Sequence, residues 1–181
     1  MKSTGQPVFW LKPTDPTLFS PPHFSVFTAD ISNTGWYGFP YSKKYGVVKI
    51  AKHSNGIPIH PDKDDRQIKD EEVKDMRNFL ATTFPSLVNA PLVFTRRCLY
   101  TDTLDGHFWI DQHPEIKGLS VSSGGSGHGL KMAPLLGEIT ADMVEGKNHP
   151  FSKRFRWRHL TPKTLQGEEA RFISNQELKR D

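Results

Sequence analysis

Across 181 residues there is one cysteine, Cys98. A single thiol excludes an internal disulfide and cannot by itself build a metal site of the paired-cysteine kind. The eight histidines contain no HxxxH or HxH pair, so a metal centre is not expected. No apolar run approaches the ~18 residues of a membrane span, and the opening stretch MKSTGQPVFW has no apolar signal core. The expected compartment is the cytoplasm, with no membrane partner. Hydrophobic residues make up 35% and mean hydropathy is -0.56, enough for a core but on the polar side of average. No internal repeat or low-complexity segment is evident. The length fits one domain, or parts of two, since domains run to roughly 100–200 residues.

Acids are missing from one stretch. Between Lys147 and Lys163 the residues Lys147, Lys153, Arg154, Arg156, Arg158 and Lys163 meet no carboxylate, and they supply much of the net charge of +4. FSKRFRWRHL interleaves aromatics with arginines, as a single-strand nucleic-acid surface can. The same pattern serves an amphipathic tail packed on the protein body or facing an acidic surface. The rest of the chain shows no basic patterning, so nucleic acid is not the expected partner.

Mixed structure is expected. GQPVFWLKP forms a strand that stops at Pro13, and FSVFTADI a second, separated by a proline-rich excursion. GWYGFPYSKKYGVVKIAKH holds two β-rich runs around the loop PYSKK, a hairpin. Alternation puts Val47, Lys49, Ala51 and His53 on one face, and Val48, Ile50 and Lys52 on the other. From Asp70 to Phe84, Val73, Met76, Phe79, Leu80 and Phe84 recur at helical spacing, and Pro85 ends the run. PLVFTRRCLYTD and HFWIDQHP are further strands joined by the turn TLDG, and GLSVSS enters a glycine cluster. The order suits an antiparallel-rich α+β fold better than a doubly wound parallel sheet.

The cluster SVSSGGSGHGLKMAPLLGE runs from strand through glycines into a helix, so bare backbone is brought up to a ligand. A dinucleotide fingerprint would need a following strand carrying an acid about 20 residues on, inside a βαβ unit, and no such strand follows. Leu136, Ile139, Met143 and Val144 make the helix's apolar stripe, with Gly146 as its stop. Pro134 is tolerable only in that helix's first turn.

YGFP at 37–40, GVVKIAKH at 46–53, RRCLYTDTLDGHFWIDQHP at 96–114 and GGSGHGLKMAPLLGE at 124–138 together resemble the C-terminal half of the monomeric sarcosine oxidase family. The likeness spans about residues 5 to 146, in order and at compatible spacing. It implies a partial substrate domain over 1–103, the C-terminal part of an FAD-binding domain over 104–146, and a basic tail over 147–181. It also implies FAD as cofactor, and oxidation of a secondary amine or N-methyl amino acid to an imine with O2 reduced to H2O2.

By the same resemblance, Cys98 would form the thioether to the flavin, with Arg96 and Arg97 favouring its thiolate. A lone cysteine is also commonly a small buried core residue. Lys49 would promote the reaction with oxygen, and His53 and Tyr37 would line the substrate pocket. Tyr100 and Lys131 would contact the substrate carboxylate. Gly125, Ser126, Gly127, His128, Gly129 and Lys131 would face the flavin, though a histidine in a glycine turn also serves as a local hydrogen-bond donor. The family's amino-terminal GxGxxG segment has no match in the sequence. The chain is therefore expected to be a fragment. The alternative is a non-catalytic remnant, or one half of a split flavoenzyme that needs a separate FAD-binding partner.

Overall fold

A computed structural model describes residues 1–159. They fall into two compact units, residues 5–98 and residues 1–4 with 99–159.

The first unit is built on a sheet. β1 (Lys2–Leu11) supplies residues 5–11 and β6 (Leu92–Asp102) supplies 92–98, beside β2 (Phe27–Ala29), β3 (Trp36–Ser42), β4 (Val47–Lys52) and β5 (Ile57–Pro58). The strand order is β2-β3-β4-β1-β5, with β6 also pairing β1. β1 and β3 both run antiparallel to β4. The hairpin expected from the β-rich runs is present, but its turn is Lys43–Gly46, with Gly46 at φ +69°. Pro40, expected in the loop, lies inside β3, where the register shifts between Phe39 and Ser42. Such an irregularity is where a strand tolerates a residue with no N–H. FSVFTADI yields only the short β2, after which Ile31–Thr34 makes one helical turn (α1).

α2 (Asp70–Thr83) covers one face of this sheet. Phe9, Leu11, Trp36, Val48 and Ile50 meet Met76 and Leu80 of α2 in one buried cluster. Full burial stabilises such side chains by roughly 1.5–3 kcal/mol each. Trp36 stacks on Phe79 with ring centroids 5.0 Å apart. The acids Asp70, Glu71 and Glu72 open the helix, where they suit its positive end. Arg77 donates to the carbonyls of Leu87, Val88 and Ala90, tying down the turn that follows Pro85.

The second unit pairs β7 (Trp109–Gln112) with β8 (Ser120–Ser123), antiparallel. A 3-10 turn over Gly129–Met132 leads into α3 (Ala133–Val144), whose first turn holds Pro134. Gly146, at φ +71°, closes it. Ile110, Ile139 and Met143 form a small core flanked by Phe108, Leu136 and Phe155. Thr4 Oγ1 donates to Asp102 Oδ2 at 2.6 Å.

The basic stretch is folded onto this unit as far as it is described. Phe155, at the end of α4 (Ser152–Phe155), packs edge-on against Phe108. Trp157 N–H donates to Asp111, and its ring lies 5.4 Å from that of Trp109. Arg158 pairs with Asp105 through two bonds of 2.6 and 2.7 Å. These aromatics and this arginine are engaged within the unit, the arrangement expected of an amphipathic tail. Lys163 and the rest of 160–181 lie outside the described residues. Among the described residues no helix is long and apolar enough to cross a membrane.

Candidate active site

The sheet of the first unit has a second face, opposite α2. Directly opposed residues share a face. Trp10 stands across from Lys49, Val8 and Tyr37 across from Ala51, and Phe39 across from Lys49. Trp10 lies 5.1 Å from Phe94 of β6, centroid to centroid, so alternation carries the even positions of β6, Cys98 among them, to this same face. Tyr37, Lys49 and Cys98 thus occupy one sheet face, with His53 just past the end of β4.

Lys49 is held among rings. Its ammonium lies 4.8 Å from the Phe39 centroid and 5.6 Å from that of Tyr37, within reach of both π faces. Burial pushes this ammonium below the ordinary lysine value, while the Cys98 sulfur is near enough to pull it the other way. His53 is buried, at 6% exposure, and its backbone N–H donates to Gly35 at 2.7 Å. Cys98 is a half-buried free thiol.

The expectation that Arg96 and Arg97 jointly favour the Cys98 thiolate is corrected for Arg97. Its neighbour in a strand points to the opposite side, and the Arg97 guanidinium grips Glu72 of α2 on that side. Arg96 is exposed on the Cys98 face.

In the second unit the glycine loop forms a concavity of about 310 Å³ whose lining includes Tyr100, Gly125, Ser126, Gly127 and Gly129. Tyr100 is buried at 6% exposure. Its ring lies under Gly127, whose φ is +80° and whose position would drive a Cβ into that ring. Ser126, at φ +43°, is buried and donates its N–H to Thr101 at 3.1 Å. Gly125 and Gly129 differ, since a Cβ on either would meet nothing closer than 3.7 Å. Their bareness serves the open side of the loop rather than internal packing. His128 and Lys131 stand off the lining, with Lys131 Nζ 3.4 Å from His128 Nδ1.

One donor constellation escapes the histidine spacings. Glu138, Asp142 and His149 bring ligand-type atoms within 4.8 Å of one another. His149 Nδ1 accepts the Phe151 N–H at 3.2 Å, and its Nε2 lies 3.8 Å from Glu138.

A model of the family described as FAD dependent oxidoreductase matches residues 4–143. The chain belongs to this family. The monomeric sarcosine oxidase of Bacillus sp. (strain NS-129) is 36% identical over 124 residues, 67% of this chain and 32% of that protein. N-methyl-L-tryptophan oxidase of Escherichia coli is 34% identical over 132 residues, 71% of this chain and 34% of that protein. Among solved structures, fructosyl amine:oxygen oxidoreductase (Amadoriase I) of Aspergillus fumigatus superposes with a TM-score of 0.76 at 26% identity, covering 96% of this chain and 42% of that one. The chain spans about a third of the length of the curated relatives it matches.

For an FAD dependent oxidoreductase the residues present suit the cofactor. Within the first unit the Cys98 thiol and the Lys49 ammonium stand on one sheet face, and within the second the glycine loop lines a concavity with bare backbone at Gly125 and Gly129. Phe39 and Trp10 belong to the surroundings of Lys49 without having been singled out in the sequence. The signal that finds them is hairpin and strand register, which the misplaced turn obscures.

Proposed function

We propose that the chain carries flavin-facing and substrate-facing residues of an amine oxidase that converts a secondary amine or N-methyl amino acid to an imine, with O2 reduced to H2O2. The observation that supports this best is Lys49, half-buried between Phe39 and Tyr37 on the sheet face it shares with Cys98. FAD, when bound, supplies the redox chemistry, accepting two electrons from the amine and delivering them to oxygen.

The protein's part is binding and electrostatics. Lys49 holds a positive charge in poorly solvated surroundings, where it acts strongly on negative charge developing at oxygen. Cys98 is the residue that would tether the flavin. Backbone N–H groups at Gly125, Ser126, Gly127 and Gly129, with His128 and Lys131, would meet its polar edge. Tyr37 and His53 would border the amine, and Tyr100 and Lys131 would hold the substrate carboxylate. Residues 1–103 would then belong to a substrate domain and 104–146 to an FAD-binding domain, with the activity in the cytoplasm, where a single thiol stays reduced.

The test is oxygen uptake and peroxide release with sarcosine and N-methyl-L-tryptophan. Amine-dependent uptake that Lys49→Met slows at least tenfold supports the reading; uptake that is amine-independent, or unchanged by Lys49→Met, counts against it.

A further inference from the structure

We infer that the Arg97–Glu72 pair is a positioning device, which keys the register of β6 so that Cys98 lies on the opposite sheet face beside Lys49. The inference rests on the reading of Cys98 and Lys49 as active-site groups and concerns what holds them together.

Arg97 is the largest fully buried side chain among the described residues. Its two terminal nitrogens each donate to a separate Glu72 oxygen at 2.5 Å, and one also donates to the Gln67 carbonyl at 2.7 Å. Glu72 is itself fixed, because Oε2 accepts the Lys69 N–H at 2.9 Å at the start of α2. Met76 and Leu80 anchor that helix in the core. The stem of Arg97 crosses β1 at Gly5, where any Cβ would overlap its Cγ and Cδ.

These contacts admit one register. A slip of one residue would turn Cys98 onto the α2 face. A slip of two would bring Thr95 or Leu99 to the slot at Gly5 and leave Glu72 with no cation. Buried ion pairs contribute little net stability, and setting register is their best-attested use. β1 lies between β4 and β6, so the distance from Lys49 to Cys98 depends on this register.

The test is the rate at which iodoacetamide alkylates Cys98 in the full chain, without flavin, with and without Lys49→Met. The Lys49 ammonium interacts electrostatically with the Cys98 sulfur and would stabilise negative charge on it during attack, so Lys49→Met should slow alkylation about threefold. In the double variant Glu72→Gln/Arg97→Met the same change should have no effect. That variant leaves no unpaired buried charge and is expected to fold. Gly5→Ala, which displaces Arg97 while keeping both charges, should also bring the ratio towards one and decides the matter if the double variant is unfolded by circular dichroism. A threefold ratio that persists in either folded variant, or a ratio of one in the unaltered chain, overturns the inference. Flavin uptake, measured separately, reports on the amine oxidase reading and leaves this ratio untouched.

Discussion

Lys49 and Phe39 stand directly opposite each other in the β3–β4 ladder, and the ammonium of the one lies 4.8 Å from the ring centroid of the other. Burial pushes the Lys49 ammonium below 10.5, against a smaller opposing pull from Cys98. Between its lowered value and 10.5 the unfolded chain binds more protons at this site than the folded one, so stability contributed here rises with pH across that window. Urea unfolding at about pH 7 and about pH 10 should show a smaller rise for Lys49→Met than for the unaltered chain. Equal rises would contradict the burial of this charge.

Glu72 is set apart from its neighbour Glu71 by the guanidinium it holds. Glu72→Ala leaves a buried cation unpaired and should cost about 3 kcal/mol. Glu71→Ala should stay within about 0.5 kcal/mol. Denaturant midpoints of the two variants check the difference, and similar losses would sink it.

Two glycines should respond with opposite signs. Gly127→Ala forces a side chain into the Tyr100 ring at φ +80° and should destabilise by about 1–3 kcal/mol. Gly137 lies inside α3, where a methyl group on its Cα would have no neighbour within 4 Å, and should gain about 0.5–1 kcal/mol as alanine. Thermal unfolding of both variants reads the signs directly.

What was legible in the sequence follows from periodicity. The α2 stripe of Val73, Met76, Leu80 and Phe84 gives that helix to within a residue, because one face is buried and the other is not. The glycine cluster and Pro134 fix the start of α3 for a steric reason that needs no tertiary information. The hairpin turn falls late, because Pro40 reads as loop and is accommodated by an irregular register that only the paired strand reveals. The orientation of Arg97 was available from alternation along β6, but its partner Glu72 lies 25 residues earlier and no local pattern links them. β5 and α4 are too short to leave a periodic signal.

The docked tail depends on Asp105. Burial alone would raise this carboxyl, but hydrogen bonds and charge from Arg158, aided by His107 and Thr103, hold it below 3.8. The stability it contributes is present above 3.8 and is lost as pH falls through the lowered value. Near-ultraviolet circular dichroism of the Trp109–Trp157 pair should therefore change only below about pH 4. Asp105→Asn should show the released signal already at neutral pH, and an unchanged spectrum would contradict the anchoring role.

The proposed tethering of flavin through Cys98 in this member of the FAD dependent oxidoreductase family is tested most directly by one absorbance spectrum. The chain is produced with FAD available and precipitated with acid. Flavin colour that stays with the precipitate, and disappears in Cys98→Ser, is the predicted result. A colourless precipitate from the unaltered chain, or colour retained by Cys98→Ser, would contradict it.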